Sequence, residues 1–350
     1  MSLQKQFSEF HEKIRLTWTD GKLKEIREKD ESIQDDIRSG FKDKGYPVLE
    51  FFQQGSYATQ TCIEPSNEGD DYDIDVGVVI DAANAPYNPI DVKKTLRDIL
   101  LDRNLKNPKI KMPCVTAQYY KEGEKRFHLD YPIFKKQQNI YYLAIGKESS
   151  DEKTRKWEQG DPKGLIDWVN NKSVFSSEES YNQYKRLIRY LKRWRDYIIS
   201  DTYRKSVYSI ALTVMVRESY KQGISTDGDF SDLESLRKTI STILGKGYFR
   251  VIGYDSNNNP QYEVVVNLPV DPGRDVFNKH GRSLGTYLHN KFTSLKDNLD
   301  KVSEETNLKK QCEILANDVF GDDFPIPEIS SRDANQRFKE SGYIASPQGA

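Results

Sequence analysis

The sequence predicts an α+β protein in which a strand-rich block is flanked by helical segments. Apolar residues within positions 1–44 are widely spaced, as on amphipathic helices. From Val48 to about residue 147 the spacing is that of strands, with one helix among them. Beyond residue 160 helical spacing dominates again. These three observations together define the fold class.

The elements of the first part are predicted from turn residues and periodicity. Positions 1–44 predict one or two amphipathic helices, which end at Gly45 and Pro47. A helix, PIDVKKTLRDILLDR, is expected to begin at Pro89, since proline fits the first turn of a helix. Strands are predicted for five stretches: VLEFFQQGS, YDIDVGVVID, CVTAQYY, RFHLDYPIFKK and NIYYLAI.

The turn cluster GDPKG, residues 160–164, predicts a boundary. Two helices are expected after it, SEESYNQYKRLIRYLKRWRDYIIS and the more apolar SVYSIALTVMVRESYKQG, followed by a hairpin that turns at residues 256–260 and a long helical stretch. The expected domains are a strand-rich core with N-terminal helix at 1–160, a helical domain at 161–327 and a flexible tail at 328–350.

Charge and cysteine usage exclude several classes of protein. The 53 Lys and Arg residues nearly balance 54 Asp and Glu, so no global field attracts nucleic acid or an anionic membrane. Three scattered cysteines form no CxxC pair, and four histidines lack metal-ligand spacing. No stretch approaches the 18 apolar residues of a membrane span, and residues 1–15 lack a signal-peptide core. A cytoplasmic location is therefore expected.

Two carboxylates stand at the start of an apolar strand. In YDIDVGVVID, Asp73 and Asp75 are two positions apart and share a face, whereas Ile74 and Val76 point into the core. Carboxylates so close together repel each other unless a cation is present. Residues 78–80 are all apolar without alternation, which argues against the exposed face of an edge strand. The pattern favours a divalent-metal site at the strand end.

A third carboxylate, Asp130, lies among the strand residues of RFHLDYPIF. Taken singly it fits a solvated position, but together with Asp73 and Asp75 it would complete a three-carboxylate site. Such oxygen ligands suit Mg²⁺, with Mn²⁺ as an alternative, because these ions keep positions for phosphate and water. Two such ions can clamp the attacking and leaving oxygens of a phosphoryl displacement.

A small turn, Gly55-Ser56, precedes the acidic pair and is followed by YATQT. Such a turn can present backbone N–H groups and hydroxyls to a phosphate, although an ordinary strand–helix turn has the same signature. The chain contains no Walker A sequence.

Gly-Ser, then Asp-Ile-Asp at one strand, then a distant Asp in a further strand resemble the nucleotidyltransferase superfamily of polymerase β type. Within it the chain is most similar to the bacterial cyclic dinucleotide and oligonucleotide synthases (CD-NTases), relatives of cyclic GMP-AMP synthase and oligoadenylate synthase. RLIRYLKRWRD, SVYSIALTVMVRE and FGDDFPIP resemble later parts of this family, so the resemblance covers roughly residues 50–327. It implies a polymerase β-like nucleotidyltransferase core of mixed sheet and flanking helices, with an N-terminal spine helix, at 1–160. It also implies a mainly helical nucleotide-binding domain at 161–327 and an active site in the cleft between the two.

The resemblance also implies roles for individual residues. The metal ligands and catalytic residues would be Asp73, Asp75 and Asp130. The loop that holds the triphosphate would comprise Gln54, Gly55, Ser56, Tyr57, Ala58 and Thr59.

The nucleotide-contacting lysine of the family is placed at Lys192, with Lys185 as second choice. Both share a helix face with Arg189, and a solvated basic face would show the same spacing. Ser209 is preferred to Ser206 for the family's serine near the nucleotide.

The activity that the resemblance implies is condensation of ATP, with GTP or another NTP as a further substrate. The product would be a cyclic di- or oligonucleotide second messenger for anti-phage (CBASS) signalling, released with pyrophosphate. Two alternatives stay open. One is a linear nucleotidyltransferase that tails RNA or nucleotidylates a protein, and the other is an inactive nucleotide-binding scaffold. The presence of all three Asp residues argues against the scaffold.

The expected partners are NTPs. A downstream effector is expected to be reached only through the nucleotide product, without direct contact with this chain. No DNA or RNA activator is expected, because the chain carries neither a His/Cys zinc insertion nor a basic excess. The tail ends in Gly349-Ala350. In some of these synthases a ubiquitin-transfer-like partner couples the small terminal residues to an amine. The resemblance implies such a conjugating partner for this tail, and the alternative interpretation is that the tail is a frayed terminus without function.

Overall fold

The computed structural model describes residues 2–16, 21–66, 72–103, 105–121, 124–278 and 280–328. The predicted tail, apart from Glu328, lies outside these residues. The first elements in chain order are α1 Leu3–Ile14, α2 Gly21–Asp43, β1 Val48–Gln53, α3 Gly55–Ala58, β2 Tyr72–Asp81, α4 Ile90–Asp102, β3 Lys106–Ile110, β4 Val115–Lys121, β5 Glu124–Tyr131, β6 Ile133–Gln137, β7 Ile140–Ile145 and β8 Lys156–Gly160.

Helices dominate the C-terminal half of the chain. The elements after β8 are α5 Pro162–Asn170, α6 Glu178–Ile198, α7 Asp201–Arg204, α8 Ser209–Ser219, α9 Asp232–Gly245, β9 Phe249–Tyr254, β10 Pro260–Val264, α10 Gly281–Glu304 and α11 Leu308–Leu315. Side chains fix where helices begin: Asp161 accepts a hydrogen bond from Gly164 N at the start of α5, and Ser177 accepts one from Ser180 N at the start of α6.

In the described part of the chain, eight strands form one mixed sheet in the order β3-β4-β5-β2-β6-β7-β8, with β1 also paired to β2. Strand β2 is central. Its first half runs parallel to β5, its second half runs parallel to β6, and β1 pairs with it antiparallel. The residues from Val76 to Ile80 that carry side chains are buried on both faces of the sheet, as the apolar run predicts.

The two larger hydrophobic clusters among the described residues divide the molecule. One lies on the sheet under α2 and α4, and it includes Ile33, Ile37 and Leu96. The other joins α6, α8, α9, α10 and α11. Helix α1 belongs to this second cluster, because Phe7 and Phe10 pack there. The predicted division into domains stays a prediction, and the packing of α1 is the feature that the sequence did not indicate.

The α+β class and the mixed sheet with flanking helices are confirmed, and three details differ from the sequence-based expectation. The stretch RFHLDYPIFKK is two strands, because Pro132 has no N–H to continue the ladder. Strand β3 contains Pro108 and a left-handed Asn107, so its sequence has the signature of a turn. Strand β8 is short and polar, as sheet edges often are.

No helix among the described residues is long and apolar enough to cross a membrane.

Candidate active site

Two of the predicted carboxylates are direct neighbours in the sheet. Asp75 on β2 pairs with Asp130 on β5 in parallel register. Residues paired in this way project their side chains to the same face, and both line one cavity. Each side chain is part-buried. The expectation that Asp130 joins the acidic pair in space is therefore met for Asp75.

For Asp73 the structure describes the backbone, which pairs with His128 of β5. Its side chain lies outside the described part of the chain. The three-carboxylate site stays a prediction in this one respect.

The Gly-Ser turn is joined to the acidic strand through Asp75. Gln54 N donates to Asp75 O at 2.8 Å, where β1 separates from β2. Gly55 comes next with φ of +59°, a conformation that glycine adopts at little cost. A Cβ atom at this position would collide with the Asp75 carboxylate. Both the left-handed backbone and the lack of room for a Cβ atom therefore require glycine at position 55.

Hydroxyl groups continue from the turn on the same side of the cavity. Ser56, Thr59 and Thr61 line it, and Thr59 Oγ1 lies 2.9 Å from Thr61 Oγ1. Thr61 was not singled out from the sequence, although it continues the run of hydroxyl residues. Tyr57 instead packs in the sheet cluster, and Ala58 O accepts a hydrogen bond from Asn170. Neither of these two residues lines the cavity.

Helix α6 presents buried cations to the segment after this turn. Lys185 Nζ donates to Thr59 O at 2.6 Å, and Lys192 Nζ donates to Thr61 O at 2.8 Å. Arg189 donates to the carbonyl of the residue between them, Gln60. The two lysines on the basic face of α6 are therefore not solvated, and backbone carbonyl oxygens replace part of the hydration that their ammonium groups lose. Lys192 borders the cavity, whereas Lys185 does not.

Burial changes the acidity of both lysines. Desolvation, with smaller contributions from nearby cations such as Arg189, lowers the pKa of Lys185 to about 7. Desolvation lowers the pKa of Lys192 to about 8. Both side chains are about 5% exposed or less. An anion in the cavity beside Lys192 would favour its charged form, so this position is suited to a phosphate.

Ser209 is the first residue of α8 and lines the cavity. Arg195 donates to Ser209 Oγ at 2.6 Å, which leaves the hydroxyl proton of the serine available for another acceptor. The alternative, Ser206, does not line the cavity. Of the two serines, only Ser209 lines the cavity, and its contact with a nucleotide stays a prediction.

These groups surround a cavity of about 590 Å³. Among its walls are apolar side chains of the sheet and of α5, including Phe134, Leu143 and Ile166, and a loop at residues 268–274. Sequence reasoning missed this loop and also missed Lys111, whose Nζ is 3.5 Å from both oxygens of Asp130. The predicted residues that line the cavity are Gln54, Gly55, Ser56, Thr59, Asp75, Asp130, Lys192 and Ser209.

The donor chemistry fits a hard divalent cation, because Asp75 and Asp130 offer oxygen atoms on adjacent strands. No group of three His, Cys, Asp or Glu side chains with metal-binding geometry occurs among those the structure describes. That set excludes the side chain of Asp73. A binuclear carboxylate site therefore depends on the position of Asp73.

Comparisons with known proteins point to one family. The model of the Second Messenger Oligonucleotide or Dinucleotide Synthetase domain matches residues 1–173. A cyclic GMP-AMP synthase from Escherichia albertii is 33% identical over 212 residues, which cover 59% of this chain and 45% of that protein. The matched region is thus less than half the length of this relative.

Solved structures agree in fold. CdnC from E. coli MS115-1, solved with ATP and also in a complex with HORMA-deltaN, has a TM-score of 0.63 for the ATP form. It shares 16% identity, and the match covers 92% of this chain and 98% of CdnC. The CD-NTase CdnG from Bradyrhizobium diazoefficiens, solved with GTP, has a TM-score of 0.65 at 15% identity, with 92% and 96% coverage.

Proposed function

Since this chain belongs to the bacterial CD-NTases, we propose that it condenses ATP, alone or with GTP, into a cyclic di- or oligonucleotide with release of pyrophosphate. One observation carries the proposal. Asp75 and Asp130 lie side by side in the sheet and share a single cavity with Ser56, Lys192 and Ser209. Acidic groups for a metal and groups suited to phosphate thus face the same space, as a nucleotidyl transfer requires.

Mg²⁺ is the cofactor that we propose, with Asp73, Asp75 and Asp130 as its ligands and Mn²⁺ as a substitute. When bound, Mg²⁺ would neutralise the negative charge on the phosphoryl oxygens. The support is the oxygen-only donor set on adjacent strands.

The protein groups would divide between binding and positioning. Lys192, Ser56 and Ser209 would hold the triphosphate of the donor nucleotide, because a cation and hydroxyl donors match phosphate oxygens. Asp130 would orient the attacking 3′- or 2′-hydroxyl and accept its proton. That hydroxyl attacks the α-phosphorus, a new P–O bond forms, and the bond to pyrophosphate breaks.

The cavity would also have to serve the second step. After the first condensation the linear intermediate still carries a triphosphate at one end and a free hydroxyl at the other. Ring closure repeats the same attack within one molecule. A cavity of about 590 Å³ is of the size that encloses small organic ligands. Its apolar walls would exclude water, which would otherwise compete with the hydroxyl.

The test is pyrophosphate release from purified protein with Mg²⁺ and each of the four NTPs, singly and in pairs. We expect a product that resists phosphatase, because a cyclic nucleotide has no terminal phosphate. A phosphatase-sensitive product would indicate a linear transferase instead. An absence of any turnover, with binding of ATP retained, would indicate a scaffold.

The matched control is the double variant Asp73→Asn, Asp75→Asn. We expect it to fold and to release no pyrophosphate. Removing two carboxylates that repel each other is expected to leave the melting temperature of the metal-free protein unchanged or raised. Near wild-type turnover by this variant would contradict the two-metal proposal.

The biological role that we propose is anti-phage (CBASS) signalling through this product. The relative CdnC was solved in a complex with HORMA-deltaN. Residues 349–350, at which a conjugating partner is expected, lie outside the described residues, so this partner stays a prediction.

A further inference from the structure

Lys111 lies against one of the predicted metal-binding carboxylates, that of Asp130. Its Nζ atom is 3.5 Å from Oδ1 and 3.5 Å from Oδ2 of Asp130, so the ammonium faces both oxygens equally. The Lys111 side chain is 47% exposed, whereas that of Asp130 is 18% exposed. The ammonium therefore reaches the carboxylate from the solvent side, at the end of a flexible stem.

The backbone that carries Lys111 is held by a second lysine. Lys93 of α4 is fully buried, and its Nζ donates to three carbonyls: Lys111 O at 3.1 Å, Met112 O at 2.7 Å and Gly146 O at 3.0 Å. The turn is closed by Lys111 N, which donates to Cys114 O at 2.9 Å. A turn fixed in this way cannot carry Lys111 away from Asp130, so any movement of the ammonium must come from its side chain.

The charge of Lys111 is placed where a divalent cation would compete with it. Two adjacent carboxylates repel each other, and an ammonium beside one of them relieves that repulsion. A divalent cation bound to the same oxygens would in turn repel the ammonium. The Lys111 ammonium and a divalent cation therefore weaken each other's binding to the Asp130 carboxylate.

We propose that Lys111 is the resident counter-ion of the acidic site and that binding of a divalent cation displaces its ammonium from Asp130. The inference rests on the proposed function, because it assumes a metal site at Asp130. It assigns to Lys111 a positioning role: the side chain holds the carboxylates together without metal and weakens metal binding.

The test measures Mn²⁺ binding to the full chain without nucleotide, from the loss of the electron paramagnetic resonance signal of free Mn²⁺. We expect Lys111→Met to bind Mn²⁺ about tenfold more tightly than the wild type, since a competing positive charge is gone. Lys111→Arg retains the charge and is expected to stay within about twofold of the wild type. Lys109→Met removes an exposed charge from β3, two residues before Lys111, and should leave the affinity for Mn²⁺ unchanged.

The outcomes separate this inference from the proposed function. Unchanged or weaker Mn²⁺ binding by Lys111→Met would overturn the counter-ion role, while loss of binding in Asp130→Asn would still support the metal site. If the wild type and Asp130→Asn bind Mn²⁺ equally well, the metal site itself is wrong. Melting temperatures of all variants identify any that fail to fold, and Lys111→Gln then serves as a second neutral variant.

Discussion

Gly55 and Asp75 are packed so closely that no side chain fits between them. The ideal Cβ position of Gly55 falls on the Asp75 carboxylate, and the backbone of Gly55 is left-handed at φ +59°. The neighbouring Gln54 N donates to Asp75 O at 2.8 Å. The Gly-Ser turn and the acidic strand are therefore one unit, and a change in either will move the other.

Gly55→Ala should abolish most of the nucleotidyl transfer. The new methyl group would displace the Asp75 carboxylate, and we expect turnover to fall at least about a hundredfold, since small misplacements of reacting groups have effects of this size. The left-handed backbone adds a loss of about 1 kcal/mol in the free energy of unfolding. Steady-state kinetics and urea denaturation measure the two effects separately.

Gly45→Ala is the matched control. Gly45 is also left-handed, at φ +81°, but nothing lies within 4 Å of its ideal Cβ position. This variant should show the same loss of stability with full activity. Equal activity of both variants would refute the steric argument for Gly55.

Lys185→Met should raise the KM for ATP through the loop and not through direct contact. The substitution removes the hydrogen bonds to Thr59 O and to Asn170 Oδ1. Loss of the donor to the buried Thr59 carbonyl and to the half-buried Asn170 side chain should lower the free energy of unfolding by about 1–3 kcal/mol. Lys172→Met, which removes an exposed ion pair with Glu178, should cost less than about 1 kcal/mol. A KM equal to that of the wild type would rule out this positioning role.

The same lysine predicts a pH dependence of stability. Burial lowers the pKa of Lys185 in the folded chain to about 7, from 10.5 in the unfolded chain. Between these two pH values the unfolded chain binds more protons, so the free energy of unfolding rises with pH across this window. Lys185→Met cannot titrate, and its rise should be shallower. Urea denaturation at several pH values between these limits tests this, and equal slopes for both proteins would contradict it.

Ser209→Ala should weaken ATP binding while leaving the fold intact. The hydroxyl lines the cavity and accepts a hydrogen bond from Arg195, so its own proton is free for a phosphate oxygen. Loss of one hydrogen bond to a charged group predicts a KM about tenfold higher. Ser206→Ala should behave as the wild type, because Ser206 does not line the cavity. The opposite result would exchange the roles of the two serines.

The acidic strand was predictable from its residues, because burial on both faces and the two-residue period are encoded by side-chain type. Val78, Val79 and Ile80 are fully buried, as a run without alternation requires. The Gly-Ser turn was predictable as a turn. That Asp130 pairs with Asp75 depended on which strands are neighbours, and the residues alone offered this as one of two interpretations.

The partners of the buried cations were not predictable. Lys185, Lys192 and Lys93 each donate to backbone carbonyls of distant segments. Every residue has a carbonyl, so no pattern of side chains indicates which one a lysine will reach. A charged residue on an amphipathic helix is therefore assigned to solvent by default. The same reasoning explains why Lys111, an ordinary residue in a turn, was passed over.

The packing of α1 has a consequence for synthesis of the chain on the ribosome. Phe7 lies 5.1 Å from Phe324 and Phe10 lies 4.7 Å from Phe320, measured between ring centroids. Tyr190 of α6 covers part of the apolar face of α1, with its ring centroid 5.6 Å from that of Phe7 and 5.3 Å from that of Phe10. Phe320 and Phe324, which complete this cover, are synthesised more than 300 residues after α1. Until then Phe7 and Phe10 stay partly accessible to chaperones and to neighbouring nascent chains, so the late synthesis of residues 320–324 governs how safely this part of the core assembles.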